Sequence, residues 1–125
     1  MDAKVCLDTD ASIEILKNTS KSHQLLGLIK EREVYITAIG VFELLLRETN
    51  LDAIEKLLLK TDILDFSELS ARKAAEIFKD LKRRGKLIPI RDLFIASSSI
   101  VNNCALATLN KKHFENIKGL ELLNF

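Results

Sequence analysis

The chain has 125 residues, 47% of them hydrophobic and 30% charged, which is the size and composition of one soluble globular domain. Its 19 Lys and Arg face 18 Asp and Glu, so the net charge of +1 excludes a uniformly basic nucleic-acid coat and an acidic disordered tail. No apolar run approaches the roughly 20 residues of a membrane span and no signal-peptide pattern is visible, so we expect a single domain over residues 1–125, in the cytoplasm.

In chain order, short apolar runs alternate with longer stretches of helical periodicity. The runs predict strands at 4–8, 34–36, 62–65, 105–107 and 120–123. The periodic stretches predict helices at 12–17, 22–30, 37–48, 51–59, about 71–84 and 91–103. Ser22, Thr37 and either Ser67 or Ser70 are the expected N-caps, and Gly85 is expected to end the longest helix.

Strands separated by helices require crossover connections, and these produce a parallel sheet. The strand runs lack polar alternation, as expected when helices cover both faces of the sheet. We therefore predict an α/β fold, a three-layer α/β/α sandwich around a mostly parallel sheet of four to five strands. Ligands in such folds bind at the carboxyl ends of the strands.

The few cysteines and histidines limit the chemistry at that edge. Cys6 and Cys104 form neither a CxxC pair nor a zinc spacing, and both lie in apolar runs, so reduced, buried thiols are expected. With only His23 and His113, a histidine-rich metal site is excluded. Any metal ion would be bound by oxygen ligands.

Three acids and an amide are predicted at the carboxyl edge of the sheet. Asp8 ends the first strand, and Glu43 lies in the apolar helical run that follows the second. Asp92 begins the helix that leads into strand 105–107, and Asn110 closely follows that strand. Together they are four oxygen-bearing side chains from four separate elements.

Each of these residues also has a purely structural explanation. Glu43 could pair with Arg47 on an exposed helix face, and Gly40 could either leave room for a ligand or allow close helix packing. Asp92 could complement a helix dipole, and Asn110 could be a turn residue.

Gathered carboxylates repel each other and raise each other's pKa values unless a cation is bound among them. Mg²⁺ or Mn²⁺ suits a set of hard oxygen ligands without histidine or thiolate. Such ions activate water and stabilise the charge of phosphoryl displacement. The acids therefore predict metal-dependent hydrolysis of phosphodiesters.

Four segments also carry a resemblance to a known family. They are VCLDTDASIEIL, YITAIGVFELLL, RDLFIASSSIVNNCALATLNKKHF and GLELLNF. In order and spacing they resemble the opening strand, the glutamate helix, the D-x-x-I-A helix with its T-x-N/D turn, and the closing strand of the PIN-domain family. Within that family the chain is similar to the small VapC-type toxin ribonucleases. Residues from about 48 to 86 match in pattern alone.

The resemblance implies a PIN-like fold and a Mg²⁺- or Mn²⁺-dependent endoribonuclease that acts as the toxin of a VapBC-type pair. It implies an RNA substrate, a VapB-like antitoxin whose tail covers the site, and a homodimer. Asp8, Glu43 and Asp92 would be the metal ligands, and Asn110 would shape the site or hold a water molecule. The hydroxyl positions that often line the family's site are matched by Thr9 and Thr108.

The chain departs from the family's pattern at several positions. Asp10 replaces the usual asparagine, so it is either an additional acid at the site or a helix cap. Ser97–Ser99 replace an alanine-rich stretch, and His113 stands where an aspartate before Phe114 is common. With Asn110 in the fourth position, the site would hold one metal ion or two.

Residues 79–91 contain six basic residues and one acid. They are expected to bind RNA phosphates beside the acidic site with salt-sensitive affinity. The structural alternative is a solvated helix end whose charges offset the helix dipole. Aromatic residues are scarce, which favours recognition of the backbone and shape of a structured RNA. The candidate substrate-binding residues of this segment are Arg83, Arg84, Lys86 and Arg91.

Two other functions fit parts of the pattern. A receiver-like regulatory domain has this size and an acidic edge, and Asp65 could be its phosphoacceptor. However, no lysine follows the strand at 120–123, and Glu43 would have no role in such a domain. The second alternative is a catalytically inactive PIN scaffold that binds RNA or a partner.

Overall fold

A computed structural model describes residues 4–125 and contains a four-stranded, fully parallel sheet with the order β3-β2-β1-β4. The strands are β1 (Lys4–Leu7), β2 (Glu33–Thr37), β3 (Asp62–Leu64) and β4 (Ala105–Ala107). Residue pairs such as Cys6 with Tyr35 and Cys6 with Leu106 fix the register of the central strands. Because every connection is a crossover, all four strands end at the same edge.

Seven helices connect and flank these strands in the described residues. They are α1 (Thr9–Ile15), α2 (Ser20–Ile29), α3 (Ala38–Leu45), α4 (Leu51–Leu59), α5 (Glu68–Arg83), α6 (Ile90–Val101) and α7 (Lys111–Phe114). None of the helices in residues 4–125 is both long and apolar enough to cross a bilayer.

Two apolar clusters cover the two faces of the sheet, which confirms the three-layer sandwich. One contains Cys6, Leu106 and residues of α5 and α6, including Leu81 and Ile95. The other contains Val5 and Leu7 with side chains of α1, α2, α3 and α4. Neighbouring residues of β1 thus point to opposite clusters, which explains why this strand has no polar position.

The helix starts follow the predicted capping chemistry in two of three cases. Thr37 caps α3 by accepting a hydrogen bond from the Gly40 N–H at 2.9 Å, and Ser67 caps α5. Ser22 is not the cap of its helix, because Thr19 occupies that position and Ser22 forms the other half of a capping box. Gly85, with a φ of 66°, follows the end of α5 as predicted.

Other boundaries differ from the sequence prediction at the ends of the chain. α1 begins at Thr9 rather than at residue 12, because Asp8 is its N-cap. The predicted strand at 120–123 forms one parallel bridge, between Leu106 and Leu122, instead of a full strand. The short helix α7 was not predicted, since four residues are too few to show helical periodicity.

Candidate active site

The candidate site lies at the carboxyl edge of the sheet, where β1 has β2 on one side and β4 on the other. Ligands in open α/β sheets bind at such a switch point in strand order. Asp8 directly follows β1, and Thr108 directly follows β4. A pocket of about 300 Å³ is lined there by Asp8, Asp10, Glu43 and Asp92, with Thr9, Ile13, Asn110 and His113.

A larger cavity of about 550 Å³ lies elsewhere and is mainly apolar. Leu26, Val34 and Leu57 are among its lining residues, and none of the acids in the described part of the chain lines it. Of these two, the smaller pocket is the one that gathers carboxylates for metal chemistry.

Asp8 is a buried acid with a clearly raised pKa. It is 6% exposed, and its two carboxylate oxygens accept hydrogen bonds from the Thr9 N–H at 2.8 Å and the Thr108 hydroxyl at 2.9 Å. Burial and the nearby charge of Asp10 raise the pKa of Asp8 to about 7, although both hydrogen bonds act to lower it. A cation bound in the pocket would favour the ionised form.

Glu43 projects from α3 toward α1 and α6. Its Oε1 accepts a hydrogen bond from the Thr9 hydroxyl at 2.7 Å, and its Oε2 lies 3.5 Å from the Arg91 guanidinium. The explanation of Glu43 as the partner of Arg47 is therefore wrong, because its basic partner comes from another helix. Thr9 and Arg91 hold this carboxylate at the pocket from two sides.

Gly40 is explained by packing. It is buried in the first turn of α3, and a Cβ added there would lie 3.1 Å from Ile36 Cγ2. The missing side chain lets α3 approach the end of β2, which brings Glu43 to the edge of the sheet.

Asp92, His113 and Asn110 form a connected group on the other side of the pocket. His113 Nδ1 lies 2.8 Å from Asp92 Oδ2 and 2.8 Å from Asn110 Nδ2. Since an ionised carboxylate only accepts hydrogen bonds, the bond to Asp92 requires a hydrogen on Nδ1. The Asn110 Nδ2 is itself a donor, so its approach to the protonated Nδ1 is a close contact and not a second hydrogen bond. His113 thus links Asp92 of α6 to α7.

Asp10 belongs to the pocket as an additional acid. Its Oδ1 accepts a hydrogen bond from the Leu109 N–H at 3.1 Å and lies 3.4 Å from the Thr108 Oγ1, whose one hydrogen is directed at Asp8. The helix cap is Asp8, so capping does not explain Asp10. Its bond to Leu109 joins the start of α1 to the turn after β4.

The donor chemistry of this pocket fits a hard divalent cation, because its acids supply several carboxylate oxygens and no thiolate. Within residues 4–125, however, no three His, Cys, Asp or Glu side chains already form a finished metal-binding group. Each acid instead bonds to a protein partner, as Asp8 does to Thr108, Glu43 to Thr9 and Asp92 to His113. These bonds leave further carboxylate lone pairs free, so a cation would bind by drawing the acids closer together while their partners hold them.

The basic residues predicted to bind the substrate do not lie together at the acidic pocket. Arg83 and Arg84 both pair with Asp80, and neither Lys86 nor these arginines lines the acidic pocket. Arg84 also donates to the Asn116 carbonyl at 2.6 Å, which ties the end of α5 to the segment after α7. Arg91 is the member of this group that reaches the site, through its ion pair with Glu43.

Comparison with known proteins shows which family this chain belongs to. The sequence profile of the PIN domain matches residues 5–120. Ribonuclease VapC2 of Rickettsia felis is 30% identical over 95% of this chain and 96% of its own length. The tRNA(fMet)-specific endonuclease VapC of Shigella flexneri is 27% identical over 94% of each chain.

A solved structure is similar over nearly the whole chain. It is that of VapBC2 from Rickettsia felis bound to a DNA fragment from their promoter, with a TM-score of 0.87, 27% identity and coverage of 98% of both chains. Together with the sequence matches, this shows that the chain belongs to the PIN domain family and is of its VapC type.

The receiver-like alternative is excluded by the strand order as well. In the flavodoxin-like order 2-1-3-4-5 of receiver domains, the third strand lies beside the first. Here β3 is an edge strand, and β2 separates it from β1. Asp65, which follows β3, is therefore not next to Asp8.

Proposed function

We propose that this chain is a Mg²⁺- or Mn²⁺-dependent endoribonuclease, the toxin of a VapBC-type pair. The observation that carries the proposal is the single pocket in which Asp8, Asp10, Glu43 and Asp92 meet at the switch point of a PIN-domain sheet. Two relatives that align over nearly the whole chain are named as an endonuclease and a ribonuclease.

Asp8, Glu43 and Asp92 would hold the divalent ion through their carboxylate oxygens. When bound, the ion supplies Lewis acidity, which activates water for attack on phosphorus and stabilises the charge that develops on the phosphate. Thr108 and Thr9 orient Asp8 and Glu43 through their hydroxyls.

Other side chains of the pocket position these ligands and the substrate. His113 holds Asp92 in place through its Nδ1, and Asp10 adds negative charge beside Asp8. The Arg91 guanidinium, paired with Glu43 yet half exposed, is placed to contact a phosphate oxygen of the substrate.

The proposed partners follow from the same family. A VapB-like antitoxin is supported by the similarity to the VapBC2 complex of Rickettsia felis. A structured RNA is the proposed substrate, and tRNA is the first to test because a relative is named a tRNA-specific endonuclease. The homodimer and the cytoplasmic location stay predictions.

A cleavage assay tests the proposal directly. Wild-type protein incubated with total RNA or tRNA is expected to cut in the presence of Mg²⁺ or Mn²⁺ and to stop when EDTA is added. Asp92→Ala removes one proposed ligand, so it should lose most of its cleavage while its circular dichroism spectrum is unchanged. Equal cleavage by both proteins, or undiminished cleavage in EDTA, would contradict the proposal.

An inactive scaffold would give a different pattern. Such a protein would bind RNA or a partner without cutting it under any metal condition. Titration with Mn²⁺, followed by water proton relaxation, would then show whether the pocket binds a cation at all. Weak or absent Mn²⁺ binding together with absent cleavage would favour the scaffold.

His113→Ala is expected to weaken Mg²⁺ affinity or cleavage by about 10- to 100-fold, as for other residues that position metal ligands. The reason is that His113 Nδ1 fixes the Asp92 carboxylate at 2.8 Å. Mg²⁺ titrations of the cleavage rate should therefore show a higher half-saturating concentration, partly restored by excess Mg²⁺.

The chain provides a matched control for this substitution. His23 is its other histidine, exposed on α2 and bonded to Asn18. His23→Ala should leave the Mg²⁺ titration unchanged. Identical titrations for His113→Ala and wild type would show that His113 has no role in positioning the site.

A further inference from the structure

A second pocket of about 320 Å³ adjoins the acidic one, and its charged residues are all basic. Lys21 of α2 and Lys111 and Lys112 of α7 line it, whereas no Asp or Glu of residues 4–125 does. Asn110 lines both pockets and therefore marks the point where they meet. A ligand that crosses Asn110 would pass from four carboxylates to three ammonium groups.

The three lysines are available for a ligand. Within residues 4–125, none of the ion pairs involves Lys21, Lys111 or Lys112. In contrast, the guanidinium groups of Arg83 and Arg84 are already paired with Asp80. An unpaired ammonium group binds an anion without first giving up an internal ion pair.

The Lys111 ammonium group is also held in position. Its Nζ lies 5.2 Å from the centroid of the Phe125 ring, within cation–π distance. This contact restricts the long side chain but leaves its hydrogen-bond donors free. The lysine pocket, consisting of Lys21, Lys111, Lys112, Asn110 and Phe125, thus presents three positive charges, one of them packed on an aromatic ring.

We propose that the lysine pocket binds backbone phosphates of the RNA next to the bond that is cut. This inference rests on the proposed ribonuclease function and assigns the path of its substrate. The scissile phosphate lies at the acidic pocket, and the neighbouring nucleotides run past Asn110, where the lysine ammonium groups neutralise their phosphates. The basic residues that end α5 then contribute less to RNA binding than the sequence predicts.

Binding of RNA without cleavage tests the proposal. Fluorescence anisotropy with labelled tRNA in EDTA would compare wild type with Lys21→Gln/Lys111→Gln/Lys112→Gln over a series of salt concentrations. We expect at least about tenfold weaker binding and a salt slope lower by about 2, the value for the loss of three phosphate contacts at roughly 0.7–0.9 each.

Two further variants separate local from general effects. Lys17→Gln/Lys56→Gln/Lys60→Gln removes the same charge from exposed positions outside both pockets and should bind RNA like wild type. Replacement of Lys21, Lys111 and Lys112 by arginine keeps the charge and should restore binding. If the triple glutamine variant is unfolded, Lys112→Gln alone, at an exposed position, should still lower the salt slope.

Several outcomes would overturn the proposal. Undiminished RNA binding by the triple glutamine variant would do so, above all if Arg83→Gln/Arg84→Gln lost binding instead. If the triple glutamine variant bound RNA normally but a co-expressed antitoxin no longer neutralised its toxicity, the pocket would be a protein interface instead. Wild type that binds tRNA through these lysines but never cuts it would refute the proposed ribonuclease and leave the RNA-binding assignment standing.

Discussion

Asp8→Asn is expected to reduce RNA cleavage by at least about 100-fold while the fold is retained. The loss of one anionic ligand removes several kcal/mol of charge stabilisation, and each 1.4 kcal/mol or so is a factor of ten in rate. The fold should persist because an amide can keep both hydrogen bonds of the carboxylate. Its oxygen can accept from the Thr9 N–H, and its NH₂ group can donate to the Thr108 hydroxyl.

Single-turnover cleavage of tRNA in Mg²⁺ would measure this effect. Asp65→Asn is the matched control, because Asp65 is an exposed acid that follows the edge strand and lies outside the acidic pocket. It should cut like wild type. If Asp8→Asn retained more than a tenth of the wild-type rate, Asp8 would not be a metal ligand.

The free energy of unfolding of the metal-free protein should fall as the pH rises from 4 to 8. Burial and Asp10 raise the pKa of Asp8 from 3.8 to about 7, so the folded protein keeps a proton that the unfolded chain releases. This contribution is complete below the unfolded pKa and is lost as the pH rises through the folded one. At about 1.4 kcal/mol per pKa unit, the loss is on the order of 3–4 kcal/mol.

Urea unfolding in EDTA across this pH range would test the effect, with Asp8→Asn as the reference that lacks the titrating group. The variant should match wild type near pH 4 and exceed its stability near pH 8. Asp80, whose pKa Arg84 lowers, affects both proteins equally and cancels in the difference. Stability curves that run parallel from pH 4 to 8 would show that Asp8 does not carry this penalty.

Mg²⁺ should remove the difference in stability between wild type and Asp8→Asn near pH 8, because it stabilises the wild-type protein. A cation that binds the ionised Asp8 stabilises the folded state, whereas Asp8→Asn lacks the charge that attracts it. The substitution that abolishes cleavage should therefore yield the more stable metal-free protein. A site that concentrates negative charge for a ligand costs stability in the absence of that ligand.

Much of the fold could be predicted from local pattern. Val5, Cys6 and Leu7 are all buried, because both faces of β1 are covered, and the run without polar alternation reflects this. The length of the predicted terminal strand was overestimated, because composition does not determine backbone pairing. Residues 120–123 have the composition of a strand, but a single bridge to β4 is all that they form. Composition indicates burial, and it does not indicate how many residues pair.

The site was predictable to the extent that sheet topology alone positions its residues. Asp8 and Asn110 follow parallel strands, so they had to lie at one edge. The partners of the acids were not predictable, because they depend on contacts between distant elements. Glu43 pairs with Arg91 rather than with Arg47 four residues away, and Asp92 pairs with His113 across 21 positions. Helical spacing carries no information about such pairs.

The same limit applies to the basic residues. Clustering in sequence drew attention to Arg83 and Arg84, yet both pair with Asp80, whose single negative charge offsets part of theirs. Lys21 and Lys111 are far apart in the chain and meet in one pocket only after α2 and α7 have packed. A count of charges along a segment cannot show which of them remain unpaired in the folded protein.

The edges of the sheet have a consequence for handling the protein at high concentration. β3 and β4, the two outer strands, have three residues each, and the backbone of Leu106 already bonds to Glu121 and Leu123. Short or covered edges offer few free backbone groups to a neighbouring molecule. Strand-to-strand aggregation is therefore disfavoured, and concentrated samples for crystallisation or NMR should resist fibril formation as long as residues 121–123 remain in place.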